Sequence, residues 1–362
     1  MKPIKIALLL VLLYMSISLK AAEFCVTTAF ELYNALSAAD SNAAHDIIKI
    51  AEGNYATNGS AFSYRETQGW DLEISGGWTE SQGNPCALQL GNNPTGTTLN
   101  GNHNNGILEI SLFGQANLRV VGITFNDGYK GFPFRGGGLE VFKFNNLVLG
   151  TIIIENNVFI NNQAEFESAL MVSGAEEIII RNNLFVGNNA HNSWTISAVQ
   201  NNGYGIYFTN NTLIYNSASA TNDSGAFISV SGTSQALVAN NVLWGNESTD
   251  LYLSGNGDVY LKNNDLGQMD SNITPLESSG NFSLPPRFES GFLSLPPSVI
   301  SPLVNAGIKP CSFCPIPIPF DETWSLGSID LAGNIRNQKG KVDIGAFESS
   351  HDPDLIFWGI FE

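Results

Sequence analysis

Positive charge is scarce in this chain: 16 Lys and Arg stand against 33 Asp and Glu, a net charge of −17. A nucleic-acid partner needs a basic face for its phosphates, so that class of function is excluded on charge. Charged residues of both signs make up only 14% of the chain, which leaves its length to apolar and turn-forming residues. Histidine is also sparse. His45, His103, His191 and His351 are widely scattered, so the sequence displays no metal-ligand constellation and calls for no cofactor. Beyond the first 22 residues, no apolar run approaches the roughly 20 residues that a membrane-spanning helix needs.

Those first residues have their own logic. Lys2 and Lys5 form a positive end, Ile6 to Leu19 is apolar, and Ala21 and Ala22 are small. This is the pattern of a secretory signal peptide over 1–22, cleaved before Glu23. The alternative is an uncleaved N-terminal anchor, because Lys20 sits close to the cleavage point. Cleavage would remove three lysines and take the net charge from −17 to −20.

Four cysteines, an even number, agree with an oxidising compartment. Cys25 and Cys86 are expected to pair with one another. Cys311 and Cys314, in a proline-rich stretch, are expected to form a second, structural bridge. The spacing of the second pair also suits redox chemistry or half a zinc site, but no second cysteine pair or histidine cluster accompanies it.

What is abundant is repetition. IIIENNVFINN, IIIRNNLFVGN, IYFTNNTLIYN, ALVANNVLWGN and VYLKNNDLGQM share one pattern, and LRVVGITFNDG is a degenerate earlier copy. Aligned on the first residue of each Asn pair, the anchors are Gly122, Asn156, Asn182, Asn210, Asn240 and Asn263. Four and two residues before each anchor stand apolar columns, Leu118 to Val259 and Val120 to Leu261, which share one strand face. Three residues after it come Phe125, Phe159, Phe185, Leu213, Leu243 and Leu266, another buried row. Asparagine tolerates the left-handed backbone of a sharp corner. Its amide both donates and accepts, so Asn157, Asn183, Asn211, Asn241 and Asn264 can stack as a ladder, as can Asn162, Asn188, Asn216 and Asn246. Leucine-rich repeats also stack asparagine, but their leucine spacing and helical return are absent. A β-propeller needs longer, four-stranded units. The pattern specifies an all-β fold, a single-stranded right-handed parallel β-helix.

Such a stack must cover its open ends. Residues 27–42, with Phe30, Leu32, Tyr33 and Leu36, suit an amphipathic helix capped by Thr27 or Thr28. DIIKIAEGNY and LEISGGW read as first-coil strands. The expected organisation is a signal peptide over 1–22, an N-terminal cap and first coils over 23–90, and β-helix repeats over 91–290. A C-terminal segment over 291–348 and a tail over 349–362 complete it.

The coils resemble bacterial right-handed β-helix proteins of the pectin-lyase-like superfamily, including those with polymorphic outer-membrane repeats. SPLVNAG at 301–307 with DLAGNIRNQKGKVDIGAFE at 330–348 is similar to the choice-of-anchor Q domain, with Asp330, Gly333, Arg336, Asp343, Gly345 and Glu348 matching its pattern. The tail DLIFWGIFE looks like a variant of short tails on some exported bacterial proteins; a closing strand is the other reading. The resemblance implies export to the cell surface or beyond. It does not imply an enzyme, because one scaffold hosts many functions.

Lyases of this fold use calcium-binding carboxylates with an Arg or Lys base, and hydrolases use paired carboxylates. The superfamily's NTD, DD and GHG motifs are missing here. Glu155 and Arg181, one before the anchor on adjacent coils, read as an exposed opposite-charge pair rather than an acid and a base. Glu165/Glu167 and Glu176/Glu177 read as solvated loops. One column breaks the polar-outside rule: Ile153, Ile179, Tyr207, Leu237 and Tyr260, three before the anchor with outward parity, following Arg119. An apolar strip on a sheet face is usually covered. The cover is the chain's own loops, another subunit or surface protein, or a glycan stacked on Tyr207 and Tyr260. The expected function is therefore non-catalytic: adhesion, surface structure or carbohydrate binding, with a polysaccharide lyase or glycoside hydrolase as the alternative.

Non-reducing peptide mapping of exported protein should find all four cysteines bonded. Losing the long Cys25–Cys86 loop closure should cost about 2–4 kcal/mol in chemical denaturation.

Overall fold

The computed structural model describes residues 21–350, except 66, 82, 92–93, 144–149, 202–204, 221–222, 290–294, 310–325 and 339. The expected signal peptide, apart from Ala21 and Ala22, lies outside the described residues, as do Cys311, Cys314, His351 and the tail from 351.

The chain is a parallel β-helix. Each full coil contributes one strand to each of three long sheets. Sheet A has ten strands, from Ala22–Val26 through Thr151–Glu155, Glu177–Arg181 and Gly205–Thr209 to Glu277–Ser279. Sheet B has eight short strands, from Gly53–Ala56 to Asp265–Leu266, and sheet C eight, from Phe62–Arg65 to Met269–Ser271. A small sheet D joins Tyr129–Lys130, Gln163–Ala164, Asn189–Ala190 and Ser217–Ala218. Strand pairing follows the repeat alignment: Ile152, Ile178, Ile206, Ala236 and Val259 are successive register partners. These residues and the column two before the anchor fill one continuous core. In the row after the corner, Phe125, Phe159 and Phe185 stack with ring centroids 4.8 and 4.6 Å apart.

Both asparagine columns form ladders. Asn157 Nδ2 donates to Asn183 Oδ1 at 3.2 Å, Asn183 to Asn211 at 3.1 Å, Asn211 to Asn241 at 3.1 Å and Asn241 to Asn264 at 2.9 Å. The second N–H of each amide bonds a carbonyl of the preceding coil, such as Ile154 O from Asn183. Each backbone N–H joins the side-chain bond on the next Oδ1. Each rung from Asn183 to Asn264 thus uses both donors and both acceptor sites of its amide, as burial demands. The ladder gains a rung the repeat alignment missed, Asn281, because glycine (Gly280) holds the anchor position before it. The second ladder runs Asn162, Asn188, Asn216, Asn246 and ends on the Asp250 carboxylate.

At the start, helix α1 (Ala29–Ser41) packs over the core. Thr28 is its cap, with Glu31 completing a capping box. The expected apolar face is shifted: Leu32, Ala35, Leu36 and Ala39 are buried, whereas Phe30 is 73% exposed. Small alanines let the helix approach the coil, and Phe30 falls on its far side. Cys25, in the first strand, is bonded to Cys86 across 61 residues, with Cα atoms 5.7 Å apart. Among the described residues no helix is long and apolar enough to cross a membrane.

Asn183→Leu should destabilise the protein by at least about 3 kcal/mol, because it strands donors on Asn157 and acceptors on Asn211 and Ile154, each costing about 1–3 kcal/mol. Asn192→Leu removes only a half-buried contact to Glu165 and should cost under about 1 kcal/mol in the same denaturation experiment.

Candidate functional site

The outward strip lies where the parity argument put it. Ile153, Ile179, Tyr207, Leu237 and Tyr260 are direct register partners across sheet A, on the face opposite the core. It is not a free surface. Ile179, Tyr207 and Leu237 are buried, in a separate apolar cluster that Ile308 packs against; only Ile153 and Tyr260, at its ends, are partly exposed. The described cover comes from the C-terminal segment rather than from loop 189–203.

That segment is held by the first asparagine of each pair. These residues have φ between 47° and 57°, and their side chains point outward. Asn156 Nδ2 donates to Asp330 O at 2.7 Å, Asn182 to Leu326 O and Ile329 O at 3.1 Å, and Asn210 to Asp343 O at 3.2 Å. Asn240 bonds both the N–H and the carbonyl of Ile308, and Asn263 donates to Ala306 O at 2.9 Å. On sheet B, Val158, Leu184, Ile214 and Val242 meet Leu303, Leu331, Ile344 and Phe347. Gly345, at φ +100°, must be glycine: a Cβ there would stand 2.8 Å from Thr212 Oγ1 and 2.9 Å from Val242 Cγ2.

The charged pair is also as paired but not as exposed as its position implied. Glu155 is buried, accepts from Arg181 Nε at 2.6 Å, and lies 2.7 Å from Arg119 Nη2. Arg119 in turn reaches Glu73 at 3.1 Å. Burial alone would raise the Glu155 carboxyl, but the two guanidiniums together outweigh it and hold it below its usual value. Glu167, expected in a solvated loop, is buried against Arg135 at 2.9 Å. The reason is common to both: long basic side chains from a neighbouring coil or loop fold over the carboxylate.

Open concavities among the described residues lie elsewhere. The outward column of sheet C runs Ser63, Glu109, Glu140, Met171, Ser197, Phe227 and Tyr252. Lys130, from sheet D, reaches over this face. Its Nζ lies 2.9 Å from Glu109 and 2.6 Å from Glu140. Gly106 makes room for it, since a Cβ there would sit 2.3 Å from Lys130 Cε. A cleft of about 510 Å³ is lined by Ser63, Asn104, Asn105, Glu109, Tyr129 and Phe134. A neighbouring one of about 340 Å³, lined by Gln163, Glu165, Asn189 and His191, shares Tyr129, Lys130 and Gly131 with it. Tyr129 and Phe134 are exposed. Further along the face, Trp194, Phe227 and Tyr252 cluster with ring centroids 5.3–5.9 Å apart.

Chemically, this face offers aromatic ring planes, side-chain amides and two carboxylates that share one ammonium. His103 lies beside it, its Nδ1 3.3 Å from Asp127 and its ring against Tyr129. Among the described residues no three His, Cys, Asp or Glu side chains converge as a metal-ligand set. The repeat alignment missed this face because it was anchored on the Asn corner. A second alignment on LEISL, LEVFK, LMVS, ISAVQ, AFISV and LYLSG would have aligned Glu109 with Glu140 and Phe227 with Tyr252.

Comparison of the chain with protein-family models, with curated proteins and with solved structures finds no match.

Tyr207→Ser should destabilise the fold by about 3 kcal/mol, since it empties a buried ring site under the C-terminal segment. Tyr260→Ser, at the open end of the strip, should cost under about 1 kcal/mol. Thermal melts of the two variants make the comparison.

Proposed function

We propose that this chain is an exported, secreted or surface-displayed protein that binds carbohydrate without turning it over. In this reading it is a right-handed β-helix of the pectin-lyase-like kind, with a choice-of-anchor Q-like C-terminal segment. The observation that carries the reading is a pair of adjoining clefts that meet at Tyr129 and Lys130, one reaching Ser63 and Glu109 of sheet C and the other running along sheet D past Gln163, Asn189 and His191. Sugar rings present apolar C–H faces and a rim of hydroxyls. Exposed aromatic planes flanked by amides and carboxylates match both, and a concave site with a few convergent polar groups is the usual form of a ligand pocket. The same logic withdraws the sheet A strip from ligand binding: its central residues are occupied by the chain itself.

One observation favours the catalytic alternative. Glu109 and Glu140 each place an oxygen on the same Lys130 Nζ, at 2.9 and 2.6 Å, so two carboxylates stand close together, as a retaining glycosidase pair must. Yet each carboxylate already gives an oxygen to the ammonium, which stands where a scissile bond would have to lie.

The mature protein should retain neutral or acidic oligosaccharides on a glycan array and release no product from them. Tyr129→Ala with Phe134→Ala should weaken that binding at least about tenfold, the loss of about 1.4 kcal/mol, with an unchanged melting temperature. No binding to any glycan would overturn the proposal. Product release abolished by Glu140→Gln would replace it with the enzyme reading.

A further inference from the structure

Residues 301–309 and 326–349 touch the coils differently from the way the coils touch each other. Strand ladders and a shared core join the coils, whereas this strap lies on the outer faces of sheets A and B. It is held by the outward asparagines and by two apolar clusters separate from the main core. It also has its own polar centre. Arg336 is fully buried; its Nη1 donates to Glu348 Oε1 at 2.7 Å and its Nη2 to Asn182 Oδ1 at 2.6 Å. Asp343 N–H donates to the Glu348 carboxylate, and Ser349 N–H donates to Asp343 at 2.6 Å. Asp330 accepts from Glu348 N–H at 2.7 Å. Three buried carboxylates therefore share this cluster with one guanidinium, which pairs with Glu348.

We propose that this strap is a latch: it detaches as a unit while the coils stay folded, and the Arg336–Glu348–Asp343 cluster makes detachment easier as pH rises. Detachment would uncover Ile179, Tyr207 and Leu237. Among the described residues, the coil side chains bonded to the cluster and its flank are neutral, Asn182 and Thr212. Other charged groups nearby among the described residues are Arg181, paired with Glu155, beside Gly327, Lys309 beside Gly340, and Lys341, two residues before Asp343 in the strap itself. Arg287 and Glu289 lie on the stretch leading to Pro296. Pro296 lines a cavity of about 180 Å³ together with Asn334, Gln338 and Glu348.

The direction follows from the charge count. Burial pushes the Glu348 carboxyl up to about 7, with Asp343 adding to the rise and Arg336 opposing it. Burial raises Asp343 as well. A raised carboxyl keeps its proton in the docked state and loses it when detached and solvated. Docking is therefore firm below the ordinary carboxyl range, weakens as pH rises towards about 7, and then levels off.

Hydrogen exchange by mass spectrometry on the full mature chain tests this, with rates corrected for intrinsic pH dependence. The amides of Gly345 and Ala346, which bond the coils, should open about tenfold more often per pH unit between about pH 5 and 7, as expected for one linked proton. The ladder amides of Asn183 and Asn211 should stay protected throughout. Glu348→Gln should remove most of that slope. Strap amides that open only together with ladder amides would overturn the proposal, as would a slope absent from the wild type or unchanged by Glu348→Gln.

Discussion

The asparagine pair at the corner between sheets A and B is the constraint on which the rest of the molecule depends. Its first member adopts the left-handed backbone that turns the chain, and its second points into the coil and joins the ladder. Because the first side chain then points outward, each turn also presents one amide to the outside. A row of such amides spaced by the strand separation can hold backbone groups of another segment, and Ala306, Ile308, Asp343, Leu326 and Asp330 provide them. One dipeptide thus sets the turn, the interior and the dock.

Covering the sheet faces changes what neighbouring side chains mean. Glu155 and Tyr207 would be ordinary surface residues on a bare β-helix. Here Glu155 is buried between two guanidiniums, and Tyr207 is packed within a cluster closed by Ile308. Carboxylates at the C-terminal end are pushed upward by burial, Asp265 to about 7, with Asp250 adding to its rise. The clefts beside sheets C and D stay open, and that openness, rather than apolarity, distinguishes them from the covered strip on sheet A.

The fold was legible because the repeat prints its physics in columns. Parity separates Ile152 and Ile154 from Ile153, and chain-wide recurrence identifies Asn183 and Asn188 as stacked rather than scattered. The candidate site was less legible. Glu109 and Glu140 look like unrelated loop acids until strand register makes them neighbours. Lys130 joins them only because the two-residue sheet D carries it across the face.

The sequence by itself determined the period, the inward and outward faces, the two ladders, the capped N-terminal helix and the scarcity of positive charge. All of these depend on spacing along the chain or on composition. Tertiary structure alone decided which outward face is covered and which is open. It also gave Asp330, Arg336, Asp343 and Glu348 their place in a buried cluster against Asn182. Covering a face joins residues more than a hundred positions apart, such as Asn182 and Ile329, largely through contacts to backbone groups. Backbone acceptors are the same in every residue, so such docking leaves almost no trace in side-chain pattern.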